Sequence, residues 1–178
     1  MKKKMILITA ILGIGFIISL SFFLAFNNED LKIICITIGV NLYHFLMRII
    51  VGTLVDLVMK NKANYNNKWF STKKIESKFY NFLHVHKWKK FIPTYSPETF
   101  DTTNKSIEEI VGATCQAEVV HEIIMLFSLL PIALIPIFNA PAVFIITSIL
   151  SMMIDSIFVI LQRYNRPRLI KILKRKLK

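Results

Sequence analysis

The stretch Ala142-Val143-Phe144-Ile145-Ile146-Thr147-Ser148-Ile149-Leu150-Ser151-Met152-Met153-Ile154-Asp155-Ser156-Ile157-Phe158-Val159-Ile160-Leu161, running into Gln162-Arg163-Tyr164-Asn165-Arg166-Pro167-Arg168-Leu169, decides how this chain is read. The first part carries one ionisable side chain, Asp155, and as a helix it is long enough to cross a hydrocarbon core about 30 Å thick. The octapeptide then sets three guanidinium groups, two amides and a phenol where the polypeptide leaves lipid. Charge at that depth is costly, and a stop-transfer signal needs only scattered Lys and Arg, so the array reads as a site for anions. Pro167 predicts a helix end at Arg166, with the arginines displayed on a turn.

Three more stretches share the apolar character, Met5–Phe26, Ile33–Met59 and Val119–Phe138, which makes four crossings in all. A hydrophobic content of 54% beside a formal charge of +12 excludes most soluble domains, because the charge is segregated from the apolar runs. Met1-Lys2-Lys3-Lys4 resembles the start of a signal peptide, but the apolar run behind it is too long and ends in bulky Phe22-Phe23-Leu24-Ala25-Phe26, so it reads as an uncleaved anchor. Lys and Arg collect at the N-terminus, in the loop 60–118 and in the tail 162–178, whereas Asn27–Lys32 holds Glu29 and Asp30 and Asn139–Pro141 is uncharged. A multi-pass cell-membrane protein with both termini and the central loop in the cytoplasm is expected. The alternative is three crossings with the second segment re-entrant, since that segment is the most polar of the four.

The loop interleaves Trp69-Phe70, Phe79-Tyr80, Phe82-Leu83, Trp88 and Phe91-Ile92 with Lys73, Lys74, Lys78, Lys87, Lys89 and Lys90. Tryptophan at the interface and lysine toward lipid phosphates is a membrane-surface pattern, so residues 61–93 should include an amphipathic helix or a short hairpin in the headgroup zone. The expected fold is an all-α, four-helix transmembrane bundle with this interfacial insertion between the second and third crossings. Nucleic acid is not an expected partner, because four crossings leave little folded domain to grip a duplex; membrane lipids are.

No phosphate loop, Cys-x-x-Cys pair, zinc motif or Gly-x-Ser-x-Gly elbow occurs, so neither a metal site nor a bound cofactor is expected. Cys35 falls in an apolar segment and Cys115 in the loop, poorly placed to pair. Glu118, His121 and Glu122 open the third crossing at helical spacing, which sets a carboxylate beside an imidazole. An acid that fixes the tautomer leaves the other ring nitrogen as a general base, with Glu118 in the orienting role and His121 as base. In the second crossing Asn41, His44 and Arg48 share a face to which Asp56 returns, and Asp155 is a candidate partner for Arg48; these read as a buried polar network.

Lys78-Phe79-Tyr80, Val85, Lys87-Trp88-Lys89, Ile92-Pro93, Ala117-Glu118, His121, Leu130-Pro131 and the octapeptide Gln162–Leu169, in this order, resemble the glycosyl-4,4'-diaponeurosporenoate acyltransferases of staphyloxanthin-type carotenoid biosynthesis. The resemblance spans roughly the C-terminal two-thirds, with the octapeptide its most specific part. It implies transfer of a fatty acyl chain from a thioester donor, acyl-CoA or an acyl carrier protein, to a sugar hydroxyl of a lipid-soluble glycoside. On that chemistry Trp88 or Asn165 would donate to the oxyanion, and Arg163, Arg166 and Arg168 with Lys87 and Lys89 would hold donor phosphates, with Gln162 in the same substrate-binding group. The competing reading is a non-catalytic membrane protein, a transporter subunit or a scaffold, whose basic loop binds anionic lipid or a partner.

Overall fold

The computed structural model describes residues 2–92, 100–101 and 103–176; Pro93, among the residues that carry the resemblance, lies outside them, as do Met1, Leu177 and Lys178. Every element among these residues is helical: α1 (Lys2–Phe26), α2 (Glu29–Met59), a 3-10 turn (Lys68–Phe70), α3 (Lys74–Phe82), α4 (Val85–Trp88), a second 3-10 turn (Lys89–Phe91), α5 (Ile107–Phe127), a third (Leu130–Leu134), α6 (Ile135–Phe138) and α7 (Pro141–Lys176). Four spans are long and apolar enough to cross a membrane, namely α1, α2, the run from Ile107 to Phe138, and α7. The chain is a helical membrane protein. It divides into two compact units, with the boundaries inside α2, α5 and α7.

One unit holds residues 2–52 and 123–154. Leu7, Ile11, Ile14, Ile18 and Leu24 of α1 are exposed, as suits a helix whose solvent is lipid. Asn27 takes a left-handed conformation and Asn28 Oδ1 accepts from the Asp30 N–H at 2.7 Å, so two asparagines end α1 and cap α2 within a tight turn. Gly39 lets α2 approach the Phe16 ring, which a Cβ would meet at 2.9 Å. Val40, Ala140 and Phe144 form the apolar core. Arg48 of α2 donates to Ser151 Oγ at 2.8 Å and to the His44 carbonyl at 3.0 Å; Ser151 Oγ lies 2.9 Å from Ser128 Oγ, which donates to the Ile124 carbonyl. The hydroxyls thus relay the guanidinium's donors to a backbone acceptor. Asn41 serves its own helix, donating to the Thr37 carbonyl. Pro131 and Pro136 lie where the third crossing breaks into a 3-10 turn before α6.

The other unit is formed by residues 53–122 and 155–178. Its α5 starts at Ile107, well before the Val119 suggested by hydropathy, because Ser106 and Glu109 form a capping box: Glu109 Oε2 accepts from the Ser106 N–H and hydroxyl, and the Glu109 N–H donates to Ser106 Oγ. Cys115 is therefore a buried helical residue rather than a loop residue. Past α2, Lys60 and Asn61 adopt left-handed backbone and turn the chain toward α5. There the Asn61 N–H donates to Gln116 Oε1 at 2.6 Å and Gln116 Nε2 donates to Asp56 at 2.9 Å, so Asp56 anchors the turn.

The expected helix end at Arg166 is not found. α7 continues through Pro167 to Lys176. Proline removes the N–H that would reach the carbonyl of residue 163, and that carbonyl instead accepts from the Thr72 hydroxyl at 3.2 Å.

Candidate functional site

Three side chains on one face of α5, Thr114, Glu118 and His121, meet Arg166, Arg163 and Asp155 of α7 in descending order, the signature of two antiparallel helices in register. Arg166 is fully buried. Its Nε donates to Thr114 Oγ1 at 3.0 Å, Nη1 to the Phe70 carbonyl at 3.1 Å and Nη2 to the Thr114 carbonyl at 2.9 Å, while Nη2 also pairs with Glu118 Oε2. Arg163 reaches the other oxygen of Glu118, grips Glu76 of α3 through Nε at 2.9 Å and Nη2 at 3.0 Å, and donates to the carbonyls of Trp69 and Ser71. Two guanidinium groups thus share one buried carboxylate, and their remaining donors go to Glu76, to Thr114 and to backbone oxygens of the segment before α3.

This arrangement revises two expectations. Arg163 and Arg166 spend their donors on protein groups, so they tie α3, α5 and α7 together and are not displayed to an anion. Glu118 is their counter-ion and does not orient His121. The acid beside the imidazole is Asp155, whose Oδ1 lies 2.8 Å from His121 Nδ1. The ring stacks on Phe158 at 4.7 Å between centroids and 10° between planes. Asp155 is 2% exposed and His121 20%, so the pair is buried at its acid end and open at the ring. Nothing in local spacing announces Asp155, which is remote in sequence and joins His121 only through the register of α5 on α7. The acid at helical spacing, Glu122, accepts from Trp69 Nε1 at 3.1 Å.

Arg168 and Lys89 gather round Tyr164. Arg168 lies over its ring at 4.7 Å and donates to its hydroxyl at 2.8 Å; Lys89 lies over the ring at 5.1 Å and donates to Asn165 Oδ1 at 3.0 Å. Burial and the nearby Arg168 both push the Lys89 ammonium below its ordinary pKa. Next to Arg168 an open recess of about 310 Å³ has polar walls from Thr114, Gln162 and Asn165 and apolar ones from Phe100, Ile110 and Leu169. Lys87 is exposed, without a charged partner among the described residues. Trp88 donates its indole N–H to the Leu83 carbonyl at 2.9 Å, so the oxyanion role considered for it is already spent on its own turn. No group of three His, Cys, Asp or Glu among the described residues is arranged to hold a metal ion.

On Glu76, partial burial raises the carboxyl pKa but the two-point Arg163 contact outweighs it, and the net shift is downward. Tyr80 donates its hydroxyl to Glu76 at 3.2 Å; burial and that neighbouring carboxylate push its phenol up to about 12.

Neither a curated protein nor a solved structure matches this chain. The family profile described as glycosyl-4,4'-diaponeurosporenoate acyltransferase matches residues 66–175, a range that holds the capping box of α5, the paired arginines, the His121–Asp155 pair and the Lys89–Arg168 cluster. The chain belongs to that family and is an acyltransferase of carotenoid biosynthesis.

Proposed function

We propose that this protein transfers a fatty acyl group from a thioester donor to a sugar hydroxyl of a lipid-soluble glycoside, with His121 as the general base. The observation that carries the reading is the 2.8 Å pairing of His121 Nδ1 with Asp155 inside a membrane acyltransferase. A carboxylate at Nδ1 favours the tautomer with the proton there, which leaves the Nε2 lone pair to accept one. As Nε2 takes the hydroxyl proton, the sugar oxygen bonds to the acyl carbonyl carbon; when the tetrahedral oxyanion collapses, the C–S bond breaks and the thiolate leaves, recovering a proton from the imidazolium. Phe158 restricts the ring to one plane, and Asp155 stabilises the imidazolium. The amide of Asn165 remains a candidate oxyanion donor. By the positive-inside rule the termini and basic segments lie in the cytoplasm, where acyl-CoA and acyl carrier protein are found.

The test is acyl transfer to a glycosylated carotenoid by the purified protein in lipid nanodiscs. His121→Gln should abolish turnover, and Asp155→Asn, which accepts the Nδ1 proton less well, should lower kcat by about 10²- to 10⁴-fold with the fold intact. Glu118→Gln should behave differently: it leaves the fully buried Arg166 guanidinium without a carboxylate while Arg163 keeps Glu76, costs about 3–5 kcal/mol and lowers the yield of folded protein. Undiminished transfer by folded His121→Gln would end the assignment and favour a scaffold.

A further inference from the structure

Two of the octapeptide's three arginines are neutralised by carboxylates. The third is not. Among the described residues neither Arg168 nor Lys89 has a carboxylate within ion-pair distance, yet both lie over the same Tyr164 ring. Two like charges held together beside a partly buried aromatic surface are unfavourable unless something anionic joins them. They repel each other beside a ring whose face stabilises each alone, and Lys89 holds its proton less tightly, through burial first and the Arg168 charge second. Their neutral partners, Asn165 Oδ1 and the Tyr164 hydroxyl, fix the position of each cation without discharging it. The recess walled by Thr114, Gln162 and Asn165 starts at Arg168, so a group bound there has room for the moiety attached to it.

We propose that Lys89 and Arg168 form a phosphate subsite on the Tyr164 ring, with the adjoining recess holding whatever the phosphate is attached to. A planar guanidinium presents paired N–H donors to phosphate oxygens, and an ammonium adds a point charge, so the pair suits a phosphate monoester or diphosphate better than a carboxylate. Resting on the thioester-donor reading above, the subsite would take the phosphates of coenzyme A or of a carrier-protein pantetheine arm. A phospholipid headgroup offers the same chemistry from a second source.

The experiment is calorimetric titration of the full-length protein in phosphatidylcholine nanodiscs with coenzyme A and, separately, with phosphate-free pantetheine. Coenzyme A should bind at least tenfold more tightly, with an affinity that falls as salt rises, and Lys89→Gln or Arg168→Gln should each weaken it about tenfold without changing pantetheine binding. Repeating the titration in phosphatidylglycerol nanodiscs separates the sources: competition by the anionic lipid, lost in the two variants, assigns the subsite to a headgroup. Equal binding of coenzyme A and pantetheine by the unmodified protein, with no lipid competition, overturns the subsite, and needs no variant to fold. Phosphate-dependent binding without acyl transfer would retain the subsite and reject the catalytic reading.

Discussion

The hydroxyl of Thr72 donates to the backbone carbonyl of Arg163, the acceptor that Pro167 deprives of its helical donor. A proline inside a helix ordinarily costs about 3 kcal/mol, partly through that orphaned carbonyl. Here a residue just ahead of α3 supplies the missing hydrogen bond, and Arg163 returns the link by donating to the Ser71 carbonyl.

The proline and the threonine should therefore be coupled. Thr72→Val should destabilise the protein by about 1 kcal/mol, and Thr72→Ser by much less. In a Pro167→Ala background, where the restored backbone N–H can reach the carbonyl, the cost of Thr72→Val should largely vanish. Thermal unfolding of the unmodified protein, the two single variants and the double variant in one detergent closes the cycle; strictly additive effects would mean that the Thr72 hydroxyl does not replace the lost donor.

Stability should fall on the acid side through Glu76. Its folded pKa is depressed, so the unfolded chain binds more protons and the stabilisation is complete above the ordinary carboxylate value of 4.5, then lost as pH falls through the lower native value. Glu76→Gln should flatten that part of the acid limb and lower stability at neutral pH. Tyr80 acts at the other end: with its phenol raised to about 12, stability should decline above pH 10 as the unfolded tyrosine ionises first, and Tyr80→Phe should remove that decline. Denaturation midpoints measured against pH read both; an unchanged acid limb in Glu76→Gln would sink the first.

The apolar runs and the charge balance made the four crossings legible, because lipid imposes length and composition directly. The imidazole proposed as base was legible as a residue, but its partner was not. Glu118 stood at the right helical spacing and Asp155 did not, yet α5 turns Glu118 onto Arg163 and Arg166 and brings His121 to Asp155, a choice made by interhelical register. The early start of α5 was written in Ser106-Ile107-Glu108-Glu109, a capping box that hydropathy cannot register. Reading Pro167 as a stop failed for a different reason. A proline breaks a helix only where nothing else satisfies the exposed carbonyl, and Thr72, distant in sequence, satisfies it.

The interfacial role expected of the central insertion can be measured with the protein's own fluorophores. On α3 the exposed side chains Ile75, Phe79 and Phe82 recur at spacings of four and three, one apolar stripe, while Glu76 and Tyr80 turn inward to Arg163 and Tyr164. Lys74 and Lys78 lie beside the stripe, placed to reach lipid phosphates. Both tryptophans of the chain, Trp69 and Trp88, belong to this insertion, so intrinsic tryptophan emission reports on it alone. Lipids brominated at shallow acyl positions should quench that emission, most through Trp69, which is 62% exposed. Replacing Ile75, Phe79 and Phe82 together by Ser should relieve the quenching. Emission indifferent to brominated lipid in the unmodified protein would remove α3 from the membrane surface.

Gly112 tests how tightly the turn after α2 is held against α5. A Cβ at this position would lie 2.5 Å from the Asn61 carbonyl oxygen, a backbone atom that cannot swing aside as a side-chain end would. Asn61 is fixed from both directions: its left-handed backbone ends the turn, and its N–H is bound to Gln116, itself tied to Asp56. Ala in place of Gly normally favours a helix by up to about 1 kcal/mol, so the intrinsic propensity and the contact oppose each other here. The contact should win, since relieving it means moving backbone away from Gln116, and Gly112→Ala should destabilise by about 1–3 kcal/mol. Gln116→Ala in the same background should recover part of the loss by freeing Asn61 to shift, a sign that propensity alone cannot produce. A stabilised Gly112→Ala protein, by thermal unfolding in detergent, would show that the turn yields and that the Asp56–Gln116–Asn61 chain does not hold it.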